Sequence, residues 1–305
     1  MNVLVLKGGP DAEREVSLNS GSRVADALRR AGVTVTEVAI DRATGAQLRD
    51  LAGDVIFPVL HGPWGEGGPL QELLMQDGRP FVGCLADAAR LCMDKPASKR
   101  ICEAAGIPTP PSQVIGPTDT LRLKPPLVLK PCDEGSSVHL RVCRNEREVH
   151  QGRQELQSHR PTMMAESFIQ GRELTLGMLN DRQLPLIEVR AKSGLYDYEA
   201  KYTRDDTEYL LDPDLPPGVA ESIRAYSQKA WQVLGIRDVA RMDFMVDDRG
   251  AWFLEANTMP GFTDHSLVPK AALHAGITME SLVKGLAEAA FSRRSMGRDH
   301  RHACA

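Results

Sequence analysis

Two acidic residues and an asparagine lie in two neighbouring segments that have the composition of strands. Asp243 follows Arg241 by two residues, and Glu255 and Asn257 follow Asp243 by twelve and fourteen. The turn sequence Asp-Asp-Arg-Gly lies between the segments, so a hairpin would bring the three oxygen-bearing side chains to one end of a sheet. Carboxylate and amide oxygens suit Mg²⁺ when nucleotide phosphates complete its octahedron. The pattern therefore predicts a magnesium site for a phosphate-bearing substrate.

Two cations accompany these oxygens. Arg241 shares a strand face with Asp243 because alternate residues of a strand point the same way, and a cation there suits a site in which negative charge builds up. Lys130 ends an apolar run and precedes the loop 131–137, whose N–H groups and hydroxyls could cradle a polyphosphate. The chain has neither GxxxxGK[ST] nor GxGxxG. The sequence therefore indicates phosphate binding without a P-loop or a dinucleotide fingerprint.

The composition excludes several classes of protein. With 305 residues, 42% of them hydrophobic, and a formal net charge of −4, the chain is globular in composition and has no general attraction for nucleic acid or anionic membranes. No apolar run approaches the roughly 20 residues that span a bilayer, and the N-terminal apolar run is too short for a signal-peptide core. Six cysteines without a CxxC pair or zinc spacing favour reduced thiols and a cytoplasmic location.

Strand and helix patterns alternate from the N-terminus, which predicts an α/β fold. Residues 1–83 have the pattern of half of a doubly wound parallel sheet. A helix is expected over 93–105, a return strand over 138–142, and a long loop over 191–217 that could serve as a lid. The last helix is expected over 278–291, and the remaining residues 292–305 are expected to be disordered.

Seven segments resemble the ATP-grasp superfamily and, within it, the D-alanine–D-alanine ligase family. They are 8–21 (GGPDAEREVSLNSG), 61–70 (HGPWGEGGPL), 93–95 (MDK), 130–138 (KPCDEGSSV), 196–202 (YDYEAKY), 241–243 (RMD) and 255–269 (EANTMPGFTDHSLVP). Their order and their spread over most of the chain make the resemblance highly specific. It implies three domains: an N-terminal substrate-binding α/β domain over 1–83, and two α+β ATP-grasp subdomains, a central one over 84–169 and a C-terminal one with the metal site and lid over 170–291.

The resemblance also implies a reaction. ATP phosphorylates the carboxylate of one D-alanine, the amine of a second D-alanine attacks the acyl phosphate, and D-alanyl-D-alanine forms for peptidoglycan precursor synthesis. The implied partners are ATP as co-substrate, D-alanine, and Mg²⁺ or Mn²⁺, with two ions bound. A homodimer is an expectation from the family alone.

Residue roles follow from the positions that match. The resemblance implies phosphate-binding lysines at Lys95, Lys130 and Lys201, an adenine and ribose region at Glu166, Ile169 and Glu173, and metal ligands at Asp243, Glu255 and Asn257. Glu13 and His61 match the site of the first D-alanine, and Ser266 and Leu267 match the site of the second substrate's carboxylate. Arg241 and the N–H of Gly261 match the groups that stabilise the acyl phosphate and oxyanion, and Ser136 and Tyr202 match a pair that links to Glu13 and fastens the lid.

Three departures and three alternatives qualify these expectations. Gly67 stands where the family usually has aspartate, Ser167 where it commonly has lysine, and Pro63-Trp64 is bulkier than usual. The first alternative is a related ligase that uses D-serine, D-lactate or another amino acid as second substrate, although the lid sequence resembles the peptide-forming type. The others are a non-catalytic nucleotide-binding module, which would lack some of the ligands, and a nicotinamide-linked oxidoreductase, which the glycine spacing at 8–9 disfavours.

Overall fold

Three β-sheets organise the chain. The computed structural model describes residues 1–135, 139–157, 160–191 and 207–302, with the backbone alone for Ala191 and for 294–302. In these ranges one sheet is parallel and two are antiparallel, and helices pack against them. The α/β fold class is confirmed. No helix of the described residues has the length and apolarity needed to cross a membrane.

The N-terminal sheet is parallel and buried on both faces. Its strands are β1 (Asn2–Gly8), β2 (Thr34–Ile40) and β3 (Val55–Pro58), in the order β2-β1-β3. The helices are α1 (Arg14–Arg30), α2 (Gly45–Asp50), α3 (Gly62–Gly65) and α4 (Pro69–Asp77). Val3 and Val5 enter one hydrophobic cluster and Leu4 and Leu6 another, as expected of a parallel strand covered on both sides. Phe81 bridges Ile56 in parallel, where the sequence predicts one more short strand.

The second sheet is antiparallel, with strand order β4-β7-β5-β6. Its strands are β4 (Ser112–Ile115), β5 (Leu127–Lys130), β6 (Arg141–Cys143) and β7 (Met163–Ser167), with α7 (Glu146–Gln157) packed on them. Two helices precede it, α5 (Ala86–Met93) and α6 (Lys95–Ala104). The single helix expected over 93–105 is therefore wrong at its start. Asp94 interrupts it, because its backbone is extended and its side chain accepts a hydrogen bond from the N–H of Ala97 at 2.9 Å.

The third sheet is antiparallel and has the order β10-β9-β8-β11-β12. The strands are β8 (Arg172–Leu179), β9 (Arg182–Ala191), β10 (Thr207–Leu211), β11 (Val239–Asp247) and β12 (Gly250–Asn257). Helices α8 (Val219–Val233), α9 (Leu267–His274) and α10 (Met279–His302) complete this part of the chain.

Two expectations for this region are corrected. The loop expected over 191–217 contains β10, which pairs with β9 at the edge of the sheet, a contact that no local pattern reveals. The last helix, expected to end at residue 291, continues to His302. This segment contains no proline, and nothing in its sequence forces the helix to end.

Helices connect the units across their sequence boundaries. The C-terminal α10 packs against α1 and β3 of the N-terminal part, whereas α5 and α6 pack against β12 of the third sheet. Phe57 of β3 and Phe262, which precedes α9, meet edge to face with ring centroids 5.8 Å apart. The N-terminal part is thereby held against the segment that follows β12.

Candidate active site

A cavity of about 490 Å³ lies between the second and third sheets. Lys130 and Glu166 line it from β5 and β7, Asp243 and Glu255 from β11 and β12, and Lys95 from the start of α6. A volume of this size is typical of small-molecule and cofactor sites.

The hairpin β11-β12 presents four polar side chains on one face. Arg241 pairs with Asn257 and Asp243 with Glu255, while Met242 and Ala256 between them point into the hydrophobic core. The structure therefore brings together the four residues that the sequence predicts at this end of the hairpin. Directly opposite residues of antiparallel strands have Cβ atoms about 5 Å apart, which suits two carboxylates that share ions.

A β-bulge widens this polar face. The register shifts after Asp243, so that Phe244 pairs with Phe253 and Leu254 has no partner of its own. Both Leu254 and Glu255 line the cavity as a result. An apolar contact surface thus lies directly beside the carboxylates, a feature that strict alternation along β12 would not predict.

Asp243 is buried and held by donors on both oxygens. Arg241 donates from Nε to Oδ1 at 2.8 Å and from Nη2 to Oδ2 at 2.7 Å. Thr175 Oγ1 donates to Oδ1 at 2.8 Å, and Asn257 Nδ2 donates to Oδ2 at 3.1 Å. This network fixes the carboxylate of Asp243. Because Asn257 donates through its Nδ2, its own amide oxygen is the atom that can act as a ligand.

The donor set fits a hard cation whose coordination a substrate completes. In the described residues no group of three or more His, Cys, Asp and Glu side chains forms a closed metal site. Asp243, Glu255 and Asn257 instead supply two carboxylates and one amide oxygen, which is the incomplete all-oxygen set that Mg²⁺ accepts together with phosphates and water. Zinc would demand nitrogen or sulfur ligands and is not favoured here.

Lys95 connects the hairpin to the loop after β5. Its Nζ lies 3.1 Å from Glu255 Oε2 and donates to the carbonyl of Glu134 at 2.6 Å, and its N–H donates to the carbonyl of Cys132 at 3.0 Å. Burial lowers the pKa of Lys95, but the charge and hydrogen bond of Glu255 and the charges of Glu166 and Glu66 together outweigh burial, so the net shift is upward. Lys95 is therefore a permanent cation at the cavity wall.

Lys130 and Glu166 form a buried ion pair with a third member. Lys130 Nζ donates to Glu166 Oε2 at 2.6 Å, and Lys99 Nζ donates to Oε1 of the same carboxylate. Burial alone would raise the pKa of Glu166, but the two lysines lower it below its usual value. The sequence places Glu166 in the adenine region, whereas its carboxylate here contacts a phosphate-site lysine. Sequence reasoning missed Lys99, whose only signal was its position one helical turn after Lys95.

Apolar side chains also line the cavity. Ile169 and Glu173 border it, as do Phe168 and Met245. Ile169 is buried, and Glu173 pairs with Met245 across β8 and β11. Flat apolar contacts suit a planar base, and the adenine and ribose roles expected for these positions stay predictions.

A second polar cluster, buried beside the hairpin, contains Glu13, His61 and Glu66. Glu13 stands at the N-terminal boundary of α1, but its carboxylate does not cap the helix. His61 Nδ1 donates to the carbonyl of Met259 at 3.1 Å, and no described residue bonds its buried Nε2. Burial and the charge of Arg241 lower the pKa of His61 despite Glu13, so the ring is neutral and Nε2 is an acceptor.

Glu66 is a site residue that sequence reasoning did not select. Burial, reinforced by the charge of Glu13, raises the pKa of Glu66 to about 8, although Arg241 and the N–H groups of Gly62 and Met259 oppose the shift. Its Oε1 accepts from the Gly62 N–H at 3.2 Å. A carboxyl group that is neutral at pH 7 beside an ionised one limits the negative charge of the cluster.

Gly261 and Ser266 face each other at the start of α9. A Cβ placed on Gly261 would lie 2.7 Å from Ser266 Oγ, which also accepts from the N–H of Thr263 at 3.0 Å. Ser266 precedes the first helical residue, Leu267, which is buried in the core. The backbone N–H groups at this helix start can bind a carboxylate.

Three expected residues, Ser136, Lys201 and Tyr202, lie outside the described residues. The neighbour of Ser136 is informative, because a Cβ placed on Gly135 would lie 3.4 Å from Glu13 Oε2. The loop after β5 therefore approaches the cluster of Glu13 and His61, as a Ser136 contact to Glu13 would require.

The departure at Gly67 has a structural reason. A Cβ at this position would lie 2.4 Å from the carbonyl oxygen of Pro63, so the turn that follows α3 admits glycine alone without a backbone shift. The unusual Pro63-Trp64 and the unusual Gly67 thus belong to one tight turn.

Comparison with known proteins agrees with this geometry. The model of the family described as D-ala D-ala ligase C-terminus matches residues 105–288. The D-alanine–D-alanine ligase of Syntrophotalea carbinolica is 39% identical over 96% of this chain and 97% of its own. That of Bordetella pertussis is 41% identical, with 96% of each chain covered.

Solved structures show the same likeness. The Bacillus anthracis D-alanine–D-alanine ligase complexed with ATP superposes with a TM-score of 0.83 and 29% identity, covering 97% of this chain and 99% of that one. The VanG D-Ala:D-Ser ligase of Enterococcus faecalis superposes with a TM-score of 0.80 and 25% identity, covering 93% and 98% of the two chains. The fold is thus shared by ligases that differ in their second substrate.

Proposed function

The chain belongs to the D-alanine–D-alanine ligase family, and from that membership we propose that it joins two molecules of D-alanine at the expense of ATP, through an acyl phosphate bound in the cavity between the second and third sheets. The product is D-alanyl-D-alanine, a precursor of peptidoglycan. The reaction belongs to the class of ATP-dependent carboxylate–amine ligations.

One observation carries this proposal. Asp243 and Glu255 stand opposite each other on one hairpin face, and Lys95 and Lys130 border the same cavity. A paired carboxylate set and two lysines in one small cavity match what a metal-bound triphosphate requires.

The first step transfers the γ-phosphoryl group. A carboxylate oxygen of the first D-alanine attacks the γ-phosphorus, the bond to the β-phosphate oxygen breaks, and ADP forms. Lys95 and Lys130 balance the charge of the phosphates, and Lys201 is assigned the same role from its sequence position. Glu13 receives the ammonium of this D-alanine, and the acceptor atom Nε2 of His61 gives the ammonium a second partner.

The second step forms the amide. The amine of the second D-alanine attacks the acyl carbon, the oxyanion of the tetrahedral intermediate is stabilised by Arg241 and the Gly261 N–H, and phosphate leaves as the amine loses its proton. Ser266 and the N–H of Leu267 hold the second carboxylate. Mg²⁺ held by Asp243, Glu255 and Asn257 would neutralise phosphate charge in both steps.

Ser136 and Tyr202 are assigned to lid closure, which keeps water away from the acyl phosphate. Ile169 and Glu173 are assigned to adenine and ribose, together with Glu166.

We extend the proposal to the whole protein. The three sheets support three domains over 1–83, 84–169 and 170–291, although α5 and α6 pack on the third sheet. The free thiols of the described cysteines and the dependence on ATP favour the cytoplasm. A homodimer and two bound Mg²⁺ or Mn²⁺ ions are proposed from the family alone.

A phosphate-release assay tests the function. The protein is incubated with ATP and Mg²⁺ and with D-alanine alone, or with D-alanine plus D-serine, D-lactate or L-alanine, and each product is identified by mass. We expect D-alanyl-D-alanine as the main product and no product that contains L-alanine. A depsipeptide or mixed dipeptide as main product would replace the assignment of the second substrate, and no phosphate release with any acceptor would overturn the ligase assignment.

A further inference from the structure

Lys99 is a buried lysine that the mechanism above does not use. It lies on α6 four residues after Lys95, so both side chains point to the same side of the helix. Its side chain is one of the largest fully buried ones, with 1% of the residue exposed. A buried ammonium group is costly unless it is paired, so the group that pairs with Lys99 indicates the role of this lysine.

The partner of Lys99 is the carboxylate that also binds Lys130. Glu166 is 3% exposed, and its two oxygens are divided between the two lysines: Oε1 accepts from Lys99, and Oε2 accepts from Lys130 at 2.6 Å. The group of three has a formal charge of +1. Without Lys99 it would be neutral, and Glu166 would compensate Lys130 completely.

Position separates the roles of the two lysines. Lys130 and Glu166 line the cavity, and Lys99 is not among the residues described as lining it. Lys99 therefore lies behind Glu166 and reaches the cavity through that carboxylate. The charge of Lys99 offsets the negative charge of Glu166. Without Lys99, Glu166 would hold Lys130 away from the phosphates and would also repel the phosphates.

We propose that Lys99 is a positioning residue for nucleotide binding: by engaging one oxygen of Glu166, it leaves Lys130 a net positive charge for the phosphates of ATP. This inference rests on the proposed function and assigns a role to a residue outside the cavity. It makes one distinctive claim, that loss of Lys99 weakens the binding of phosphates more than the binding of the base, to which Glu166 is also assigned.

Direct nucleotide binding tests the claim. The affinities of the full-length protein for ADP with Mg²⁺ and for adenosine are measured by calorimetry, with adenosine followed by competition where its binding is weak. Lys99→Met should weaken ADP binding about tenfold or more, as expected from the loss of one charge in a desolvated site, and weaken adenosine binding by a clearly smaller factor. Equal weakening of ADP and adenosine binding, or no weakening of either, would overturn the proposal.

Three further variants keep the test decisive. Lys99→Gln retains a donor for Glu166 without the charge and should resemble Lys99→Met, whereas Lys99→Arg should retain most ADP affinity. Lys124→Met removes an exposed lysine ahead of β5 and should leave ADP binding at the wild-type value. If Lys99→Met fails to fold, Lys99→Gln decides, and wild-type ADP affinity in that variant contradicts the proposal.

The outcome is distinguishable from failure of the proposed function. A wild-type protein that binds no ADP would refute the nucleotide site itself. A wild-type protein that binds ADP, with a Lys99→Gln variant that binds it equally well, would refute only the role of Lys99. In steady-state assays the same role should appear as a higher KM for ATP with a smaller change in kcat.

Discussion

Asp243 and Glu255 lie directly opposite each other on β11 and β12, on the face that borders the cavity. Each already has a cationic neighbour: Arg241 contacts Asp243 through two hydrogen bonds, and Lys95 lies 3.1 Å from Glu255. The carboxylates are thus held at a fixed separation and their charge is balanced by cations. These groups are therefore organised in the absence of any ligand, which reduces the cost of binding one.

Asp243→Asn and Glu255→Gln should each lower the rate of phosphate release by at least about a hundredfold, because an amide oxygen lacks the negative charge that a carboxylate brings to Mg²⁺, and the ion is then held less firmly. Chelation of divalent ions by EDTA should abolish the activity of the wild type, and excess Mg²⁺ should restore it. The checks are the phosphate-release rate and the far-UV circular dichroism of each variant. The control Asp248→Asn changes an exposed carboxylate in the turn of the same hairpin and should keep full activity. Near-normal turnover of Asp243→Asn would show that Asp243 is not a metal ligand.

Glu66→Gln should change how stability depends on pH. The pKa of Glu66 is raised to about 8 in the folded protein, so the folded state keeps this proton while the unfolded state releases it near pH 4.5. The contribution of Glu66 to stability is therefore complete below about pH 4.5 and is lost as the pH rises toward 8. Because glutamine does not titrate, the unfolding free energy of Glu66→Gln relative to wild type should rise by up to about 1.4 kcal/mol per pH unit in this window.

Urea unfolding at pH 5 and pH 8 measures this difference. Glu13, Arg241 and Lys95 also bear charge beside Glu66 and remain in both proteins, so the comparison isolates the mutated carboxyl. Glu221→Gln, an exposed change on α8, should show the same pH dependence as wild type. A Glu66→Gln curve parallel to the wild-type curve would mean that Glu66 is ionised in the folded protein.

Gly261→Ala should impair the second substrate more than ATP. The new Cβ would lie 2.7 Å from Ser266 Oγ and displace that hydroxyl from its contact with Thr263. We expect the KM for the second D-alanine to rise several-fold while the KM for ATP stays constant, which steady-state kinetics at saturating ATP will test. Gly285→Ala on α10, where a Cβ meets nothing within 4 Å, is the matched control. Equal kinetics for both variants would exclude a close approach of Gly261 and Ser266.

Arg293→Met should destabilise the protein without altering the site. Arg293 of α10 donates to both oxygens of the buried Asp238 at 2.7 and 2.8 Å, and to the carbonyl of Phe81 at 2.9 Å. Loss of the guanidinium leaves the buried carboxylate of Asp238 with the Gly83 N–H as a donor and Arg237 as a more distant cation. Because Arg293 is partly exposed, we expect a loss of about 2 kcal/mol in urea unfolding, below the 3–5 kcal/mol typical of a fully buried pair. Arg249→Met, at an exposed turn, should leave the unfolding free energy within about 0.5 kcal/mol of wild type.

Local pattern predicted most of the elements because each carries its signal within a few residues. The apolar run at β5 ends at Lys130 as expected. Errors arose where a distant partner decides the structure. Strand β10 exists because β9 offers an edge. The start of α6 at Lys95 is a different case, because the Asp94 cap is local and is compatible with the helical composition on both sides of it.

The sequence by itself determined the chemical inventory of the site: hard oxygen ligands at hairpin spacing, lysines at element ends, and the ordered segments that resemble one ligase family. Only the tertiary structure decided which charges meet. Glu166 contacts Lys130 and Lys99 because β7 lies beside β5 and faces α6, and Glu66 becomes a neutral carboxyl because it is buried beside Glu13. The physical reason is that burial and distances across the fold set charge state and pairing, and neither is encoded in the spacing of residues along the chain.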